Sequence, residues 1–335
     1  MQFSPAPTRY GPRRRPRRRR CRPERHRIRT CTRSQSLGEV LRVGIGLPAA
    51  VPDTDATVIG NWAAESEERG FASLGVIDRL VYDNLDPLVA LAAAAARTER
   101  IELLTTVLNA GYRANPVLLA KQIDSLERLC AGRLTVGLGM GGWPEDYAAS
   151  GVSMTGRGAA FEAGLAAMRA VWRGETTGAS GQVPALPEGR PGLLLAGLVP
   201  AGFARAARLS DGWVAPSFGL QTLEQGVEAV HREWAKAARP GRPRVIVERY
   251  FCLGPGAAET ADAYVAHYYG PDYLPHIQPD VLTDPERLRL EIDRLTAAGA
   301  DDLVLLPCTG DPRQIGLLAD ALDQTFRTPV KQATP

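Results

Sequence analysis

A small set of residues in this chain combines a reactive type with a setting that could use it. Asp78 and Arg79 follow the apolar run 72–77, Thr105, Thr106 and Val107 close the run 101–107, and the glycine-rich stretch 137–142 (GLGMGG) begins within a third such run. A carboxylate can orient a neighbour or move a proton, whereas a guanidinium stays protonated and cannot act as a general base. Arg79 therefore suits the steadying of an anionic substrate, a phenolate or a developing negative charge, with Asp78 orienting it. The plainer alternative is a structural Asp78–Arg79 pair at the strand end. Gly139, Met140 and Gly141 would let the backbone approach a flat ring or a phosphate, with Trp143 and Tyr147 on the next turn, or would simply make a tight turn. As a dinucleotide fingerprint the stretch is weak, because no acid closes a following strand about twenty residues on. His231 and His267 fall in helical patterns, where solvated or core roles are the default. His276, in the Pro-rich loop 270–279 beside Tyr273, is the histidine placed to exchange protons at a cavity mouth.

The elements that must position these groups repeat regularly. Apolar runs of strand length occur at 41–47, 72–77, 101–107, 134–138, 192–196, 213–215, 245–252 and 302–306, each followed by a helical pattern. Unbroken apolar runs are what strands covered on both faces require. Asp86-Pro87, Asn115-Pro116 and Asp311-Pro312 each put a side-chain acceptor before a proline at the first helical position. Thr283 with Glu286 spells a capping box. Gly70, Gly132, Gly174 and Gly299 close helical patterns where a left-handed residue is wanted. Eight strand–helix units in about 290 residues predict a parallel (β/α)8 TIM barrel over 39–327, with a doubly wound open sheet as the alternative. Longer intervals around 174–190 and 270–282 predict short loop insertions after strands 4 and 7. Reacting groups in such a barrel stand at the C-terminal ends of the strands, which adds Ala196, Gly197 and Leu198 to the candidates.

Charge divides the chain. It has 335 residues and a net charge of +3, but residues 1–38 hold thirteen of the 40 basic residues and one of the 37 acids, Glu24, leaving 27 bases against 36 acids in the remainder. The Arg-rich head has almost nothing apolar to bury and reads as a disordered extension, with a translation start near Leu37 as one option. Nucleic acid is not the expected partner, because no aromatic platform adjoins the head and the body is acidic. Residues 328–335 read as a C-terminal tail. The five Cys and four His are scattered, without C-x-x-C or H-E-x-x-H spacing, so no metal site or disulfide framework is expected and a reducing cytoplasm fits best. No run of eighteen apolar residues suggests a membrane span.

Several segments together carry a family resemblance: L-x-P in the first strand, N-P-V-L-L-A-K-Q-x-x-S-L-x-R-L-x-x-G-R-L over 115–134, G-L-G-M-G-G-W-P-E-D-Y-x-x-x-G over 137–151, R-G-x-x-F-E over 157–162 and A-R-L-S-D-G-W-V over 207–214. In order and spacing they resemble the bacterial-luciferase-like superfamily of FMN and deazaflavin (coenzyme F-420) oxidoreductases, across about 43–323. The resemblance implies a (β/α)8 barrel that binds its cofactor loosely, with the ring at the C-terminal mouth. It further implies that Thr105, Thr106 and Val107 form a strand-end bulge behind the ring, where a non-proline cis peptide is common. Gly139, Met140 and Gly141 would flank the ring, with Tyr147 beside them, and Ala196, Gly197 and Leu198 would approach the phosphate through backbone N–H groups.

Two departures from the family pattern matter. Alcohol- and sugar-oxidising deazaflavin members present Asp-His at the end of the second strand, and luciferase a catalytic His there; this chain has Asp78-Arg79. The segment after Gly174 is also shorter than luciferase's lid, suggesting an open mouth for flat, bulky substrates. These features favour a monooxygenase that takes reduced FMN from a separate reductase and uses O2 on a small organic substrate. A deazaflavin-dependent dehydrogenase or reductase and a non-catalytic flavin-binding barrel are the alternatives. A homo-oligomer is expected.

Overall fold

The computed structural model describes residues 41–217, 220–270 and 273–327. The head 1–38 and the tail 328–335 lie outside them. Eight parallel strands close into a barrel in sequential order: β1 (Arg42–Gly46), β2 (Ser73–Val76), β3 (Glu102–Asn109), β4 (Leu134–Gly139), β5 (Gly192–Ala196), β6 (Gly212–Ala215), β7 (Arg244–Phe251) and β8 (Asp302–Pro307), with β8 paired to β1. The eight apolar runs in the sequence are these strands, and the open sheet is excluded by the closure.

Helix boundaries follow local chemistry. The Asp86 carboxylate accepts from the N–H groups of Leu88 (2.9 Å) and Val89 (3.2 Å), and the Asn115 side chain accepts from Leu118 N (3.0 Å). Both satisfy donors that the first helical turn leaves free. Gly70, Gly132, Gly174 and Gly299 take φ values of 84°, 86°, 73° and 89°, the left-handed geometry expected of them. The capping box at Thr283 is a correction: helix Pro285–Ala297 is capped by Asp284, whose carboxylate accepts from Arg287 N at 2.9 Å. A proline at the first helical position makes the residue immediately before it the N-cap, and that residue is Asp284 rather than Thr283. The interval after β4 holds a small exposed hairpin, Thr177–Gly178 with Gly181–Gln182, and that after β7 holds the one-turn helix Leu274–Ile277.

Inside the barrel, Leu104, Leu194, Val214, Ile246 and Val304 pack together. Below them, at the N-terminal strand ends, a charged network replaces apolar filling. Arg244 donates to Asp302 (2.8 and 2.9 Å) and to Glu102 (2.8 and 3.0 Å), and Thr135 donates to Glu102 at 2.6 Å. Burial raises the cost of charge on Glu102, but hydrogen bonds from Arg244, Thr135 and Arg42 overcome it and lower its pKa to about 2. The barrel is thereby shut at one end, leaving the other for a ligand.

Candidate functional site

At the C-terminal end a cavity of about 180 Å3 opens between strands β2 to β7 and helix Ala257–Tyr269. Its walls include Ile77, Val107, Val214 and Tyr250, with Trp143, Tyr268 and Tyr269 toward the mouth. Six of the residues expected at the site line it: Asp78, Thr106, Val107, Ala196, Gly197 and Leu198.

The end of β3 has the expected irregularity. Its register against β4 shifts between Thr105 and Leu108, and the Thr106–Val107 peptide bond is cis. Thr105 is fully buried and donates from its hydroxyl to Gly137 O at 2.8 Å, so it ties β3 to β4 rather than facing the cavity. Gly139, Met140, Gly141 and Tyr147 likewise stand behind the lining. Tyr147 donates to Met140 O at 2.5 Å and is 1% exposed. A Cβ on Gly111 would meet both Met140 O and the Tyr147 hydroxyl at 2.1 Å, so only glycine lets the turns after β3 and β4 close on each other. Arg157 donates to Gly141 O at 3.3 Å from the next helix.

Asp78 and Arg79 do not pair, and the expectation that one orients the other is corrected. Asp78 accepts from Asn109 N at 2.8 Å and from Arg113 at 3.2 Å, while Asn109 donates its amide to Asp78 O at 2.7 Å. These bonds staple the end of β2 to the end of β3. Burial raises the Asp78 pKa even against the Arg113 charge. Arg79 turns the other way: it donates to Glu145 at 2.7 Å and to Tyr268 O at 3.3 Å, lies 3.4 Å from Asp146, and stacks 3.7 Å above the Trp143 ring. With its side chain 96% buried among these partners, Arg79 holds Trp143 at the mouth and presents no free charge to a substrate. Their partners come from distant segments, which a dipeptide reading cannot supply.

His276 is exposed on helix Leu274–Ile277 and does not line the cavity. Its neighbour in type, His267, bonds through Nδ1 to the Tyr82 hydroxyl at 2.7 Å, on the outside of the aromatic group that surrounds Arg79.

The residue that sequence reasoning missed is Glu248. It is 7% exposed, lines the cavity, has the Ser217 hydroxyl at 3.5 Å and, among the described residues, has no salt-bridge partner. Burial pushes its pKa to about 8, against the lowering by Thr106, Ser217 and Arg249. The signal was present as an acid inside the apolar run VIVERYF. Tyr250, Tyr268 and Tyr269 were missed as well; Tyr250 and Tyr269 join hydroxyls at 2.8 Å across the cavity wall. Among the described residues no group of three or more His, Cys, Asp or Glu could hold a metal ion, and no helix is long and apolar enough to cross a membrane.

Comparison with known proteins agrees with the barrel. Residues 41–328 match the luciferase-like monooxygenase family, and the chain belongs to it. That family is one of oxidoreductases. An uncharacterized protein of Mycobacterium tuberculosis is 32% identical over 173 residues, a match covering 48% of this chain and 60% of that relative. The F420-dependent glucose-6-phosphate dehydrogenase of Nocardia farcinica is 30% identical over 174 residues, covering 45% of this chain and 49% of the relative. Among solved structures, a monooxygenase from Streptomyces bottropensis superposes with a TM-score of 0.70 at 21% identity, covering 85% of this chain and all of that one. The oxygenating constituent of 3,6-diketocamphane monooxygenase from Pseudomonas putida, in complex with FMN, gives 0.66 at 17% identity over 84% of this chain and 97% of that one. At these identities the superpositions speak for the fold.

Proposed function

We propose that this chain is a monooxygenase that takes reduced FMN from a separate flavin reductase and uses O2 to oxygenate a small organic substrate of aromatic or polyketide type. The observation that carries this reading is the end of β2, where the residue after Asp78 is an Arg locked against Trp143, Glu145 and Asp146. No imidazole stands there to take a proton from an alcohol.

The residues present fit a flavin. The cavity is lined by Ile77, Val107, Val214 and aromatic rings, with Asp78, Thr106, Asn109 and Glu248 as polar groups. Thr106 and Val107 would back the ring, supported by Thr105 and by the turn of Gly139, Met140, Gly141 and Tyr147. Backbone N–H groups of Ala196, Gly197 and Leu198, at the entrance to helix Pro200–Leu209, would receive the phosphate. Bound reduced FMN supplies the electrons that activate O2. The chain's own part is to exclude water with Trp143, Tyr268 and Tyr269, to hold the ring, and to keep the substrate against it. A homo-oligomer in the cytoplasm is the expected working form.

A deazaflavin-dependent dehydrogenase or reductase is the second reading, favoured by the similarity to the Nocardia farcinica enzyme. Anaerobic titration with reduced FMN and with reduced deazaflavin, followed by oxygen uptake with candidate aromatic substrates, separates the two. Preference for FMN with substrate-dependent oxygen uptake is expected. Preference for the deazaflavin, or hydride transfer without oxygen, overturns the monooxygenase reading; substrate turnover of any kind dismisses a non-catalytic barrel.

A further inference from the structure

Glu248 stands apart from the other acids near the site. On β7 the residues alternate, so that Ile246, Glu248 and Tyr250 face the barrel interior while Arg249 faces outward and pairs with Glu291 at 2.8 Å. Arg249 also donates to the backbone oxygen of Glu248 at 2.7 Å, so its charge is spent on the outer side. From the other elements the titratable groups facing the cavity are Asp78 after β2 and Tyr268 and Tyr269 from helix Ala257–Tyr269, joined by Tyr250 on β7 itself. None of these is a cation. A carboxyl 93% buried, aimed into a cavity, with two hydroxyls as its neighbours, lacks the strong donors that a charged carboxylate requires. It sits beside Thr106, at the strand-end bulge of β3.

We propose that Glu248 receives the polar edge of the flavin ring, donating a hydrogen bond to it as a carboxylic acid, and that its ionisation weakens the hold on the reduced, anionic ring. The proposal rests on the reading of the cavity as a flavin site. A reduced flavin or deazaflavin carries its negative charge in the pyrimidine part of the ring near neutral pH. A neutral acid stabilises that charge by donating; an ionised one opposes it in a space of low dielectric. Tyr82 is pushed up to about 12, and burial raises the Tyr250, Tyr268 and Tyr269 pKa values well above the ordinary phenol value, so Glu248 changes charge in the mildly alkaline range before any of these phenols does.

The test measures binding, not turnover. Reduced FMN and reduced deazaflavin are titrated anaerobically in separate series into the full chain and into E248Q, from about pH 7 to about pH 9.5, with oxidised FMN as a neutral-ring control. The wild-type Kd for the preferred reduced cofactor should rise by about tenfold or more, and that of E248Q by less than about twofold, because the amide still donates and cannot ionise. Oxidised FMN should show the smaller rise in the wild type. Equal pH dependence in the two proteins overturns the role of Glu248 and leaves the flavin reading standing, as does loss of binding by E248Q at pH 7. Failure of the wild type to bind either reduced cofactor at any pH overturns the flavin reading itself.

Discussion

Replacing Glu248 with Gln should make the protein more stable, by an amount that grows with pH. Glu248 titrates near 4.5 when exposed and at about 8 in the folded chain, because burial opposes its charge. Between those values the folded protein holds a proton that the unfolded chain releases, so rising pH favours unfolding by about 1.4 kcal/mol per pH unit. This group's contribution is most favourable below 4.5, is lost progressively up to 8, and is constant above. From about pH 5 to about pH 7.5 the loss amounts to roughly 3 kcal/mol, which E248Q does not suffer. At about 2 °C per kcal/mol for a chain of this size, the Tm advantage of E248Q over wild type should widen by roughly 6 °C across that range. Thermal unfolding of the two proteins, followed by circular dichroism in matched buffers, measures it. Parallel Tm curves would mean that Glu248 is already charged in the folded state, and the reasoning from burial would be wrong.

Two other substitutions test the surroundings of the cavity. Arg244→Met removes the more buried of the two arginines, the other being Arg42, that bridge Glu102 and Asp302 at the closed end of the barrel, and should cost about 3 kcal/mol in denaturant unfolding while leaving flavin Kd unchanged; wild-type stability would show that the network contributes little. Arg79→Lys keeps the charge but loses the planar stack on Trp143 and the fork to Glu145 and Asp146, and should cost about 2 kcal/mol with a weaker flavin Kd as the mouth loosens. An unchanged Kd in that variant would detach Arg79 from the site.

Legibility in the sequence followed from how local each signal is. The strand at 192–196 was readable to the residue, since apolar content is a property of adjacent positions. The same was true of the Asp86 and Asn115 caps, whose acceptors and donors lie within three residues. Thr283 misled because two overlapping cap patterns share one segment, and the proline at 285 decides between them. Glu248 escaped notice for another reason. In a strand covered on both faces, every position is buried, so an acid and its neighbouring Arg249 look alike until inside and outside are known.

The amino-acid sequence alone therefore determined the barrel, the order of its strands and the family, because apolar runs, caps and motif spacing are written in neighbouring residues. Tertiary structure alone decided which side chains meet there. Asp78 finds Arg113, Arg79 finds Trp143 and Glu145, and Glu248 finds a cavity rather than a cation, because closure of the parallel sheet brings together residues far apart in the chain. Whether a charged group is free, paired or neutral depends on that company and on the water it excludes.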